Sequence, residues 1–344
     1  MKALAGTLRQ NGRVQPTNAA QHADALADRV PQPDEVREGI WSIPLPMEQP
    51  GNPFSLCYVV AGSDGSLHLV DSGYDTDDNW ERLLQALRGF GRSIDDVASV
   101  FVTHLHPDHL GLSERLRVTS GARVGMLRRE HQALLTLAEH GIVITEKLLV
   151  DWGVPAERRP EMVGELGAAL VARGAPTVDD VLDAGDTLAI PGRTLTLLAT
   201  PGHTAGSACV IDAEAGLLYT GDTVLPKIFS GLGLGDRTTS NPIADYLTSL
   251  AALARYDDLE VAPGHGFRFR GLIERNTELA AHHLHRSRAA AAIVRAEPDA
   301  TVWKIASRLR WTAGWGRLRG FFLFSALAQT QLHVEFTRTE AYLG

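Results

Sequence analysis

The chain has 344 residues, 44% of them apolar and 22% charged, with a formal charge of −8. That is the composition of an ordinary globular protein, long enough for two domains or one enlarged domain. The acidic balance excludes a wholly basic nucleic-acid binder, and two cysteines, Cys57 and Cys209, make no disulfide framework. Both cysteines lie in apolar strand-like runs, as buried free thiols do, which fits a reducing cytoplasm. The opening MKALAGTLRQNGRV lacks a continuous apolar stretch and a cleavage site, so no signal peptide is expected. The longest apolar runs, such as Phe321–Ala328, are far too short to span a bilayer.

In chain order, residues 1–38 are polar and aperiodic and read as a flexible N-terminal arm. From Gly39 the texture changes. Ile40–Ile43, Ser55–Ala61 and Leu67–Val70 are short apolar runs between Gly, Pro and Asp turns, and read as strands. Asn79–Gly89 follows with Leu83, Leu84 and Leu87 at helical spacing, and Val97–Thr103 is a β-rich run ending at a cluster of histidines. Residues 128–172 are rich in Leu, Glu and Ala and broken around Gly153–Pro155, and are expected to form a helical insertion serving as a lid or pocket wall. Thr194–Ala199 reads as a strand, Ser207–Ile211 and Gly216–Thr220 as a hairpin, Asp245–Ala254 as a helix, and Leu259–Ala262 as a strand that also ends at a histidine. Residues 39–270 thus form the main domain and 271–344 a separate block opening with a helix over Leu272–Arg295. That block carries 10 Lys/Arg against 6 Asp/Glu, whereas the rest carries 23 against 35. No internal repeat is evident.

The run Thr103-His104-Leu105-His106-Pro107-Asp108-His109 places three imidazoles and a carboxylate within six positions. A buried core would not tolerate that without partners, whereas first-row divalent ions require such ligands. His104 and His106, two apart, project the same way from an extended strand end; Pro107 then bends the chain so that Asp108 and His109 can face a second ion. Three more candidates recur in Gly/Pro turns after strands: His203 in Thr-Pro-Gly-His-Thr-Ala-Gly-Ser, Asp222 in Tyr-Thr-Gly-Asp, and His265 in Ala-Pro-Gly-His-Gly. Each alone is a weak signal. Together with the first run they point to one site.

The ordered set THLHPDH, PGHTAGS, TGD and PGHG resembles the metallo-β-lactamase superfamily, in its glyoxalase II and lactonase-like branch, over about Gly39 to Arg270. The resemblance implies an α/β (α+β) fold, an αββα sandwich with a helical insertion and a small, mainly helical C-terminal domain. It implies two divalent metal ions, zinc first, with iron or manganese as alternatives. His104, His106 and His203 match the first metal site; Asp108, His109 and His265 match the second; Asp222 matches the bridging carboxylate. Asp71, in Val-Asp-Ser-Gly, matches a residue that orients a ligand histidine from behind. A hydroxide shared by the two ions would attack the substrate, with Asp222 and Asp108 as the catalytic carboxylates. Thr204 and Ser207 read as turn hydrogen-bonders rather than nucleophiles.

A bridging Asp222 argues against β-lactam hydrolysis, and the 43 positions between Asp222 and His265 leave no room for the large inserted domain of the nucleic-acid-cleaving branch. The expected substrate is a small thioester, lactone or carboxylic ester. The alternative is phosphodiester cleavage of RNA, in which a short winged-helix-like C-terminal extension with Trp303, Trp311, Trp315 and Phe321 would stack on bases. The competing account of those aromatics is packing against the core or the mate in a homodimer. No membrane partner is expected. Phe54, Tyr74, Lys227 and Phe229 are the candidate substrate-pocket residues, and His282, His283 and His285 cluster on a polar helix, where two of them read as solvated.

Overall fold

A computed structural model describes residues 14–48, 52–141, 144–163, 176–235 and 240–343. Side-chain alternation sets its layers. The run FSLCYVVA is buried at all eight positions. Phe54, Leu56, Tyr58 and Val60 enter one apolar cluster with Leu195, Leu197, Val210 and Tyr219. Cys57, Val59 and Ala61 point the other way, into a cluster with Trp80, Leu83 and Leu87. A strand covered on both faces is apolar throughout, which is why this segment reads as a continuous run.

The strands of the first sheet are β2 (Asp34–Arg37), β3 (Ile40–Pro46), β4 (Phe54–Ala61), β5 (Leu67–Val70), β6 (Val97–Val102), β7 (Arg123–Leu127) and β8 (Asp180–Leu182), in that spatial order. The second sheet takes β1 (Gln15–Pro16), β14 (Phe269–Arg270), β13 (Glu260–Pro263), β12 (Leu217–Gly221), β11 (Ala208–Asp212), β10 (Arg193–Ala199) and β9 (Thr187–Ile190). Pairing is parallel from β5 to β8 and between β12 and β13, and antiparallel elsewhere. The helix Asp77–Gly89 lies on the first sheet, where Thr76 caps it by accepting the Asn79 N–H. The helices Pro242–Leu253 and Leu272–Ala296 bring Ile243, Leu250 and Leu279 into the cluster that holds Val261 and Phe269. The result is an α/β sandwich of two mixed sheets with helices outside. Cys57 and Cys209 are buried and free.

The flexible arm is corrected for residues 14–38; residues 1–13 lie outside the described residues. This stretch contributes β1, a helix Ala19–Leu26 and β2. Ala25 and Val36 enter the apolar core, and a polar network ties the segment down further. Arg268 donates to both carboxylate oxygens of Asp34, at 3.1 and 2.7 Å, and to Glu260 Oε1 at 3.2 Å. Glu260 also accepts from Thr17 Oγ1 (2.6 Å) and Arg37 Nη2 (2.7 Å). Charged pairs leave no hydropathy pattern, so the segment looked unstructured.

Within 128–172, helices cover Arg128–His140, Glu146–Asp151 and Pro160–Val163, and residues 164–172 lie outside the described residues. The described part of the C-terminal extension is helical: Leu272–Ala296, Val302–Arg308, Gly320–Phe336 and Glu340–Leu343, with one 3₁₀ turn. The two regions share a core. Leu149, Trp152, Val154 and Met162 pack with Ala306, Leu318, Leu323 and Leu327. Trp303, Trp311 and Trp315 pack against that same cluster, while Phe321 and Phe322 are exposed. Among the described residues no helix is long and apolar enough to cross a membrane.

Candidate metal centre

Parallel pairing brings strand ends to one edge. Asp71 follows β5, and His104 and His106 follow the adjacent β6; Asp222 and His265 follow the adjacent β12 and β13. His203 lies in the turn from β10 to β11. His106 precedes a single helical turn, Pro107–Leu110, whose proline opens it and which presents Asp108 and His109. The glycine in Pro-Gly-His is required by contact, because a Cβ on Gly264 would sit 2.6 Å from both Asp222 Oδ1 and His109 Cε1.

All seven candidate ligands meet. His106 Nδ1 lies 3.1 Å from both His104 Nε2 and His203 Nε2. His109 Nε2 and His265 Nε2 are 3.2 Å apart, with Asp108 Oδ2 at 3.6 and 3.2 Å from them. Asp222 stands between the two groups. Its Oδ1 is 3.4 and 3.3 Å from His109 and His265, and its Oδ2 is 3.7 Å from His203 Nε2. Three groupings could hold an ion: His104, His106 and His203; Asp108, His109 and His265; and His104, His109 and Asp222, which spans the other two.

The outward nitrogens decide the tautomers. His203 Nδ1 donates to the Gly231 carbonyl (2.7 Å), His265 Nδ1 to that of Phe54 (2.8 Å), and His106 Nε2 to that of Leu234 (3.1 Å). Asp71 is held in the left-handed region at φ +62°. Its carboxylate accepts from Thr103 N (2.7 Å), Thr103 Oγ1 (2.9 Å) and His109 Nδ1 (2.7 Å). Because the Thr103 hydroxyl proton goes to Asp71, its oxygen accepts from His104 Nδ1 at 3.1 Å. Each of the five candidate imidazoles therefore commits one nitrogen outward and turns the other inward, where it offers a lone pair once it is free of its proton. Among His104, His106 and His203, lone pairs facing each other at 3.1 Å repel unless a cation lies among them. Asp222 Oδ1 is likewise buried without a hydrogen-bond partner. These residues fit a metal, and mixed imidazole and carboxylate donors suit a divalent first-row ion.

The charges agree. Burial, aided by neighbouring imidazoles, holds His104 well below the ordinary histidine range and His106 at about 4; burial lowers His203 as well. Around the other grouping, burial opposes charge but is outweighed. Asp71, Asp222 and Asp108 hold His109 well above its ordinary value, and Asp222 and Asp108 raise His265 to about 10. Burial would raise Asp222 and Asp108, yet His265 and His109 hold both far below the carboxylate range. One half of the site is neutral imidazole. The other draws positive charge.

Of the candidate pocket residues, Phe54 and Lys227 line one hollow with His265, Leu225, Pro226 and Ile228. Lys227 Nζ also lies 3.2 Å from the Ala25 carbonyl and 3.3 Å from Asp28 Oδ1. Tyr74 and Phe229 are not among the residues lining that hollow. The Tyr74 carbonyl caps the turn into Asp77–Gly89 through Asn79 Nδ2, and Phe229 stacks on His282 at 3.8 Å beneath Arg275. Thr204 and Ser207 bond each other across their turn at 2.6 Å. Sequence reasoning assigned no role to Thr103 or Glu130. Glu130 is fully buried and accepts from Leu105 N and Gly206 N, both at 2.7 Å; burial raises its carboxyl to about 7. Its only sequence signal is an acid in the first turn of a helix that follows a strand.

Residues 50–265 match the family model described as "Metallo-beta-lactamase superfamily". The chain is 26% identical over 255 residues to a probable metallo-hydrolase, YqjP, of Bacillus subtilis, a match covering 71% of this chain and 72% of that protein. It is 31% identical over 162 residues to an atrochrysone carboxyl ACP thioesterase of Aspergillus fumigatus, covering 45% of this chain and only 48% of the relative. Among solved structures, a metallo-beta-lactamase family protein from Thermus thermophilus superposes with a TM-score of 0.71 at 29% identity, over 88% of this chain and 94% of that one.

Proposed function

The chain belongs to the metallo-beta-lactamase superfamily, and from that premise we propose that it is a two-metal hydrolase acting on a small thioester, lactone or carboxylic ester. The observation that carries the reading is Asp222. Its Oδ1 is buried and unpartnered beside His109 and His265, while Oδ2 turns towards His203, the disposition of a carboxylate shared by two ions. His104, His106 and His203 would hold one ion, and Asp108, His109 and His265 the other, with zinc favoured over iron or manganese by the donor set. Bound there, such ions would acidify water and polarise the carbonyl oxygen that gains charge.

The chain's own groups do the rest. Asp71 and Thr103 keep His109 and His104 in the tautomers whose lone pairs face inward. Asp108, partly open at 13% side-chain exposure, orients the attacking water by accepting its O–H. The hollow with Phe54 and Lys227 abuts His265 and offers an apolar wall and an ammonium to the substrate. The thioesterase name of the Aspergillus relative, of which this chain spans about half, supports placing thioesters first in the panel.

Phosphodiester cleavage is the second reading, favoured by exposed Phe321 and Phe322 close in sequence to exposed Arg317 and Arg319. Against it, the three tryptophans are taken up in packing. The test is turnover of a panel of thioesters, lactones, carboxylic esters and a structured RNA. Ester turnover that is abolished by chelation supports the proposal; RNA cleavage without ester turnover sinks it.

A further inference from the structure

We propose that Glu130 is a positioning residue for the first metal site, its carboxylate fixing the spacing between the loop of His104 and His106 and the loop of His203. The inference rests on the two-metal reading above. β7 lies beside β6, so the helix that begins at Arg128 starts next to the histidine run. Its third residue turns inward. Glu130 Oε1 accepts the N–H of Leu105, the residue between His104 and His106. Oε2 accepts the N–H of Gly206, three residues beyond His203.

Two further observations make this a built contact. Gly206 is pressed against the helix start so closely that a Cβ there would lie 2.2 Å from Glu130 N and 2.7 Å from Glu130 Cα. Glu130 is fully buried, and of the charges near it only that of Arg129 favours its ionised form. A buried carboxylate persists only where hydrogen-bond donors replace water. Here both oxygens are used, each on a different ligand loop. Only an acceptor-only group with two oxygens can do this: the amide of Gln would accept one N–H and aim its own NH₂ at the other. Groups that orient metal ligands from behind affect metal affinity by about 10- to 100-fold.

The test is a zinc titration of the intact chain against a competing chromophoric chelator, comparing wild type with Glu130→Gln and Glu130→Asp. The wild-type control should show two binding steps; fewer would overturn the two-metal reading itself. With two steps in the wild type, E130Q should weaken one of them about 10- to 100-fold and leave the other within twofold. E130D, which keeps the charge but shortens the reach, should weaken the same step less. Cobalt(II) loading should place an altered d–d spectrum on that step alone. Two unchanged steps, or two steps weakened equally, would overturn the inference. So would failure of both variants to fold, since Glu130 would then serve the core at large rather than one metal site.

Discussion

Replacing Asp71 by Asn tests how the site is held together. The substitution keeps size and tolerates the left-handed backbone at φ +62°. What it changes is the count of acceptors. Asp71 receives three donors: Thr103 N, Thr103 Oγ1 and His109 Nδ1. Asn supplies one oxygen, and its NH₂ must face the remaining partners. With the oxygen kept on Thr103 N, the amide N–H meets His109 Nδ1 and forces that ring to accept. The His109 proton then moves to Nε2, the atom 3.2 Å from His265 Nε2 and 3.4 Å from Asp222 Oδ1. A proton there removes the lone pair offered to an ion. Loss of this kind of support costs about 10- to 100-fold in metal affinity, or roughly 1.4–2.7 kcal/mol. Zinc competition titration of D71N reads this directly, and the expected result is one weakened step with the fold retained by circular dichroism. Unchanged affinity at both steps would refute the tautomer argument.

Other parts of the molecule give separate outcomes. Arg268→Met should lower the unfolding free energy by about 3–5 kcal/mol, because Asp34 and Glu260 lose a buried partner; limited proteolysis should then cut within 14–38. Leu327→Ala, in the core shared by 144–163 and the C-terminal helices, should cost about 2–5 kcal/mol in denaturant melts. His283 is buried with both ring nitrogens unpaired, among His282, His333 and Arg286. Burial, with His282 and Arg286, lowers its pKa to about 3. The unfolded chain therefore takes up this proton first, and stability falls as pH drops from about 6.5 towards 3, by about 1.4 kcal/mol per unit. His283→Leu should be at least as stable as wild type at pH 7 and lose about 3 kcal/mol less on acidification to pH 4.5. Parallel acid melts of the two proteins check this.

How far the sequence could be read depended on what each feature is made of. The strands β4, β5 and β6 and the helix after Asp71 were legible because apolar periodicity is their cause. The seven ligand candidates were legible because unusual residue types sit together at strand ends. Segment 14–38 was not, because the ion pairs Asp34–Arg268 and Arg37–Glu260 that help to hold it join residues 234 and 223 positions apart and leave no hydrophobic stripe. Nor were the carbonyls of Phe54, Gly231 and Leu234 that set three histidine tautomers, since a backbone acceptor leaves no mark on residue identity. Glu130 was hidden for a related reason: its partners are backbone N–H groups on two loops distant in sequence. Tyr74 and Phe229 were proposed from proximity in sequence to the site; Phe229 stacks on His282 instead of lining the hollow beside His265.

The central claim, a centre for two ions rather than one, rests on lone pairs that converge in two places around Asp222. Equilibrium dialysis of the intact chain against zinc, followed by elemental analysis, tests it most directly. Two ions bound per chain at saturation is the predicted result; one or none would contradict it.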